Sequence, residues 1–154
     1  MKTRTISILA ALLLLAGLSS VFPAGQGQQD KYLSVADVQK ITGLNGIKQV
    51  PRNEEADGDL NFARQDGKII LSVSLYPAGA YASAKSSRTG FKSTVQGIGE
   101  EAFMGPADGP PLYILAFRKG ANTVIINTEL ESRTSTRLTM EQLTAIAKLM
   151  ASRM

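Results

Sequence analysis

The sequence predicts an α+β domain: an antiparallel sheet of about five or six strands, built from two hairpins and packed by an N-terminal and a C-terminal helix. Three observations lead there. Residues 60–76 and 112–130 each set two β-rich apolar runs around a glycine-containing turn. Residues 33–42 and 138–150 each open on a capping pattern and continue with apolar residues at helical spacing. Stretches rich in Gly, Pro and Ser punctuate the chain between them.

The chain begins as a secretory signal peptide, residues 1–24. Lys2 and Arg4 give a positive start, and residues 6–18 form an apolar run of 13, shorter than the roughly 20 needed to span a bilayer. Gly17, Ser19, Ser20, Pro23 and Ala24 follow, with cleavage after Ser19, Ser20 or Ala24. No cysteine lies near the cut to carry a lipid. The expected location is the periplasm or the extracellular space, with no stable membrane span after cleavage. Residues 25–32, polar and rich in Gln and Gly, read as a flexible lead-in. Residues 33–154 are one domain's worth of chain.

Without Lys2 and Arg4 there are 15 basic and 13 acidic residues, a net charge of +2. That balance is too weak and too evenly spread for a nucleic-acid footprint. There is no cysteine and no histidine in the chain. Disulfides, thiol nucleophiles, histidine triads and ordinary zinc sites are therefore excluded. An exported domain without cysteine fits a bacterial envelope protein better than a eukaryotic secreted one.

Ser34 is a good N-cap, Asp37 stands three residues on, and Leu33 is placed to staple onto Val38. With Gly43 as a stop, the helix should span about residues 35–42. A short strand over 47–50 ends at Pro51, and 53–58 is an acidic, polar loop. Asp66-Gly67 between two apolar runs is a strong hairpin signal. A two-residue turn there pairs Phe62 with Leu71 and Leu60 with Val73. It puts Ile69, Leu71, Val73 and Leu75 on one face, and Ser72 and Ser74 on the other.

A short helix is expected over 80–85, a loop over 86–90, and a glycine-punctuated entry into a strand near 102–104. Residues 105–111 read as a turn region. In the second hairpin, Tyr113, Leu115 and Phe117 share a face with Val124 and Ile126. A Lys119-Gly120 turn pairs Leu115 with Val124, and a loop over 119–122 pairs Phe117 with Val124 and Leu115 with Ile126. Either register gives the same face. Ile114 and Ile125 fall on the opposite face, so the sheet should be at least partly covered on both sides. Residues 132–137 read as a polar loop. Thr139 then caps the last helix, with Gln142 three residues on and Leu138 stapling onto Leu143. Met140, Leu143, Ile146, Ala147 and Met150 form its apolar stripe.

The constellations that carry chemistry are few. Tyr81 and Lys85, with three residues between them, look like the catalytic pair of short-chain dehydrogenases, in which lysine lowers the tyrosine pKa. The dinucleotide-binding turn that chemistry requires is missing upstream. The plainer reading is a helix with Tyr81 half-buried and Lys85 in solvent. Gly97-Ile98-Gly99 lacks the further glycine or lysine of a phosphate cradle and reads as a sharp turn or bulge. Glu100 and Glu101, adjacent on a strand, should point opposite ways and make a poor acid/base pair. The oxygen donors at Glu55, Asp57, Asp59 and Asn61 start like a calcium loop. Counting from Asp57, however, Phe62 and Lys68 stand where glycine and glutamate are required. Lys85, Arg88 and Lys92 surround a Ser/Thr/Gly loop and could meet an anion. The candidate ligand-binding residues are thus Tyr81, Lys85, Arg88 and Lys92. No catalytic residue, metal site or cofactor is assigned.

The Leu33–Val38 start and the Val95–Phe103 segment, Val-x-Gly-Ile-Gly-Glu-x-Ala-Phe, resemble those of small exported bacterial α+β domains of uncharacterised function. That resemblance implies a fold and no activity. The expected function is a non-catalytic module that binds a small anionic ligand or an envelope protein. The alternatives are a small hydrolase using Ser/Lys or carboxylate chemistry, and a structural or assembly partner in the envelope. A cleft gathering Lys85 with Ser83, Ser86 or Ser87 would favour the hydrolase.

Overall fold

The computed structural model describes residues 31–53, 58–86, 93–106, 112–132 and 135–154. Residues 1–24, expected to be a signal peptide, and residues 25–30 of the expected lead-in lie outside them. In chain order the elements are α1 (Val35–Thr42), β1 (Lys48–Val50), β2 (Leu60–Ala63), β3 (Ile69–Pro77) and α2 (Ala80–Ser86). Then follow β4 (Ser93–Thr94), β5 (Glu101–Pro106), β6 (Leu112–Lys119), β7 (Asn122–Ser132), β8 (Ser135–Thr136) and α3 (Met140–Arg153).

Both outer helices start as their capping residues dictate. The Asp37 N–H donates to Ser34 Oγ at 3.2 Å, and the Ser34 N–H returns a bond to Asp37 Oδ2 at 2.9 Å. In α3 the Gln142 N–H donates to Thr139 Oγ1 at 3.2 Å, and Thr139 N–H to Gln142 Oε1 at 2.9 Å. Each box satisfies otherwise orphaned donors of a helix start. Leu33 and Leu138, just before the caps, are fully buried. Gly43, at φ +70°, ends α1 in a conformation that side-chain-bearing residues rarely adopt.

The sheet is antiparallel throughout, in the order β1-β2-β3-β7-β6-β5-β4, with β8 paired to the far end of β7. Seven strands lie along the main path, which corrects the expected five or six. The additional one is β4, where two exposed polar residues pair with Phe103 and Met104. Two residues carry no alternation to read. Likewise β8 lies inside the stretch read as a polar loop.

The first hairpin pairs Phe62 with Leu71 and Leu60 with Val73, as the sequence implies. Its turn is one residue longer than expected. Gly67 N–H donates to Arg64 C=O and Arg64 N–H to Lys68 C=O, both at 3.0 Å, so Gln65, Asp66 and Gly67 form the loop. The register slips between Phe62 and Ala63, and Ala63 pairs with Ile69. That bulge turns Ile69 away from the Leu71 face. Ile69 packs instead with Ala63 and Val50, while Ile70 joins the main core. The second hairpin takes the Phe117–Val124 and Leu115–Ile126 register, closed by Gly120 and Ala121.

The main core lies on one face. Leu60, Phe62, Leu71, Val73, Leu115, Phe117, Val124 and Ile126 meet Val38 of α1 and Leu143, Ile146 and Met150 of α3. Each such side chain contributes roughly 1.5–3 kcal/mol on leaving water. Tyr32 packs against this core too, so the lead-in is anchored at its last residue. On the opposite face α2 sits on Phe103, Ile114, Ala116 and Ile125, giving the two-sided cover that Ile114 and Ile125 imply. Among the described residues no helix is long and apolar enough to cross a membrane.

Candidate functional site

The chain leaves β3 at Pro77 and turns directly into α2. Ala78 holds the junction: its N–H donates to Ala121 C=O at 2.9 Å, and its C=O accepts from Thr123 Oγ1 at 3.1 Å. The start of α2 is thus fastened to the β6–β7 hairpin. Tyr81 and Ala84, three residues apart, share the helix face that meets the sheet. The Tyr81 ring lies 5.5 Å from Phe103, tilted by 58°, a geometry that aromatic pairs favour by roughly 0.5–1.5 kcal/mol beyond burial.

Tyr81 is buried rather than half-buried, at 4% exposure. Lys85, one turn on, is exposed, with its Nζ 5.8 Å from the Tyr81 ring centroid. Between α2 and the sheet lies a groove of about 400 Å³, lined by Gly79, Tyr81, Ala82, Lys85, Glu101 and Arg118. Two of the four expected binding residues, Tyr81 and Lys85, therefore share one groove. Arg88 and Lys92 lie outside the described residues. Glu101 and Arg118, which the sequence reading left out, form the opposite wall. They are cross-strand partners on β5 and β6, and their pairing follows only from a β5–β6 register that the sequence leaves unspecified.

Burial pushes the Tyr81 hydroxyl pKa up, the Glu101 charge adds to that, and Arg118 opposes it. The dehydrogenase-type pair needs a lowered tyrosine pKa, so this environment runs against that chemistry. Glu100 and Glu101 do not part company as expected. Glu100 precedes β5, and both carboxylates converge on Arg118 Nη2, at 2.9 and 3.1 Å. One guanidinium thus faces two carboxylates.

The other motifs are committed to the fold. Ile98 is buried in the main core, and Gly97 and Gly99 have φ of +76° and +56°. A Cβ on Gly99 would stand 2.3 Å from the Arg118 carbonyl oxygen. The Glu100 N–H donates to that oxygen at 2.8 Å, while Glu100 Oε1 accepts the Gly120 N–H at 2.8 Å. Glycine here serves a close backbone crossing, the bulge reading of the motif. Of the calcium-like donors, Glu55 and Asp57 lie outside the described residues. Asp59, just before β2 begins, accepts the Leu75 N–H at 2.8 Å. Buried Asn61 exchanges hydrogen bonds with Gly58, at 3.0 and 2.7 Å. Ser86 Oγ donates to Ser83 C=O at 3.2 Å, and Ser87 lies outside the described residues.

In two larger clefts a central cation is engaged by the fold. One, of about 610 Å³, is lined by Gly97, Glu100, Lys119, Gly120 and Lys148. Its Lys119 donates to the last-turn carbonyl of Ala151, as a cation at a helix C-terminus should. The other, of about 510 Å³, is lined by Asp66, Lys68, Glu129 and Arg137. Its Arg137 lies 2.6 Å from Glu129 and 3.3 Å from Glu131, and Glu131 also meets Arg64 and Lys68. Arg137 further donates to the Ile69 carbonyl, riveting β3 to the β7–β8 seam. No family model matches the chain, and no curated protein or solved structure matches it either.

Proposed function

We propose that the protein is an exported bacterial binding module, without catalysis, that takes a small ligand bearing an anionic group into the α2 groove. The observation that carries this reading is the placement of Tyr81 and Lys85 on one wall of a groove of about 400 Å³, within the size range of small-molecule sites. The export half rests on the positive start and short apolar run of residues 1–24.

The hydrolase alternative has less support. Arg118 stands between Glu100 and Glu101, Tyr81 holds its proton tightly, and the Ser86 hydroxyl bonds its own helix. The assembly reading needs an exposed apolar patch. Among the described residues, Tyr76, at 44%, is the large apolar side chain that stands exposed.

Titration of the ¹⁵N-labelled mature protein with small carboxylates tests the groove. The expected result is saturable amide shifts confined to Gly79–Lys85, Glu101 and Arg118, lost in Lys85→Ala. Shifts spread over the surface, or unchanged in that variant, would remove the proposal.

A further inference from the structure

The loop from α1 to β1 carries Asn45-Gly46 and is held from both sides. Leu44 packs against the main core, and Ile47 is buried in it at 5% exposure. Between them Asn45 is exposed. Among the described residues no hydrogen bond engages the Asn45 carboxamide or the Gly46 N–H. Gly46 stands at φ +68°, and a Cβ there would lie 2.1 Å from Gln65 Nε2. The position therefore requires glycine, and glycine leaves its own main-chain nitrogen unshielded.

The other asparagines lack this combination. Asn53, Asn61, Asn122 and Asn127 each precede a residue with a side chain: Glu54, Phe62, Thr123 and Thr128. Asn61 is buried with its amide bonded to Gly58, and Asn122 and Asn127 sit in the β6–β7 ladder. Asp66-Gly67 has the same spacing without the freedom. Its carboxylate accepts from the Lys68 N–H at 3.1 Å and from Arg64 at 3.3 Å, and the Gly67 N–H donates to the Arg64 C=O.

From this contrast we infer that Asn45 is a site of self-modification, deamidating through a succinimide in the folded protein with water as the co-reactant. The Gly46 nitrogen loses its proton to solvent base and bonds to Asn45 Cγ. The Cγ–Nδ2 bond breaks and ammonia leaves. Water then opens the five-membered ring. Breaking the ring bond from nitrogen to Cγ gives aspartate, and breaking the bond to the main-chain carbonyl carbon gives isoaspartate. Isoaspartate routes the chain through Cβ and lengthens it by one carbon. With Leu44 and Ile47 both anchored in the core, that extra length strains the α1–β1 junction.

The test ages the mature protein, folded and in urea, at mildly alkaline and mildly acidic pH, and follows the tryptic peptide Ile41–Lys48 by mass spectrometry. The expected result in the folded sample is a gain of about 1 Da in that peptide, in aspartate and isoaspartate forms, about tenfold faster at the alkaline pH. Peptides carrying Asn61, Asn122 and Asn127 should keep their mass. The purified isoaspartate form should melt several degrees below the unmodified protein. Asn45→Asp, which adds the charge without the extra carbon, should melt close to it. Conversion in urea alone, or in neither sample, would overturn the inference of a native-state site. An isoaspartate form that melts with the unmodified protein would overturn its effect on the α1–β1 junction.

Discussion

Arg153, in the last turn of α3, holds Asp37, in the first turn of α1, through two parallel bonds: Nη1 to Oδ2 at 2.6 Å and Nη2 to Oδ1 at 2.8 Å. The same Asp37 oxygen completes the α1 capping box. At the other end of the pair, Gln142, from the α3 capping box, donates to the Thr42 carbonyl at 3.1 Å. The two helices therefore run antiparallel, and α3 fastens both ends of α1. Capping residues at each helix start also join the helices to each other.

This double use predicts unequal mutant effects. Arg153→Ala removes a partly exposed bidentate pair and should cost about 0.5–1 kcal/mol. Asp37→Ala removes both the pair and the carboxylate's return bond in the capping box, leaving the backbone bond to Ser34 Oγ, and should cost about 1–2 kcal/mol. Urea unfolding of the two single variants and the double variant checks this. A double variant no less stable than Asp37→Ala fits the account, because the bidentate Arg153 pair exists only with the Asp37 carboxylate.

Acid should unfold the protein through the same carboxylates. Arg153 holds Asp37 far below the usual carboxylate range, Arg64 lowers Glu131, and the Lys68 backbone N–H lowers Asp66. Each folded-state pKa lies below its unfolded value, so the folded state binds fewer protons and stability rises with pH through that window. Stability should be level from neutral pH down to about 5 and fall below about 4, where unfolded carboxylates take up protons. Asp37→Asn should flatten the fall, as read from urea midpoints against pH.

At the alkaline end Tyr81 provides the signal. The chain has four tyrosines, and burial raises the pKa of Tyr81. Spectrophotometric titration near 295 nm should show one tyrosine ionising after the ordinary range near 10. Tyr81→Phe should delete that late phase. The raised pKa also means that this tyrosine's contribution to stability is intact below about 10 and lost as pH climbs through its folded value.

Gly97 and Gly99 should separate sharply. Both have positive φ, but a Cβ on Gly97 meets nothing within 4 Å, whereas on Gly99 it strikes the Arg118 backbone at 2.3 Å. Gly97→Ala should cost about 1 kcal/mol. Gly99→Ala should cost about 3 kcal/mol or more, because rigid backbone must move. Thermal melts of the two variants make the comparison.

The sequence made local chemistry legible and long-range arrangement only partly so. Ser34, Asp37, Thr139 and Gln142 announce their helices because a cap is a contact between residues three apart. Phe62–Leu71 is readable from its turn and alternation, whereas in the second hairpin alternation fixes the shared face and leaves open whether Leu115 meets Val124 or Ile126. The displaced face of Ile69 escapes, since a bulge is decided by hydrogen bonds at the turn and leaves no mark on composition. For the groove, Tyr81 and Lys85 are visible as neighbours on one helix. Glu101 and Arg118, 17 positions apart, come together only through the β5–β6 register, and so do the convergence of Glu100 and Glu101 on Arg118 and the buried state of Tyr81.

The most direct test of a binding groove at α2 is equilibrium dialysis against the small-molecule pool of a bacterial envelope fraction, read by mass spectrometry. Wild type is compared with Lys85→Glu, a charge reversal at an exposed position. The account predicts one or a few compounds bearing an anionic group enriched with the wild-type protein and not with the variant. No enrichment, or equal enrichment by both proteins, would contradict it.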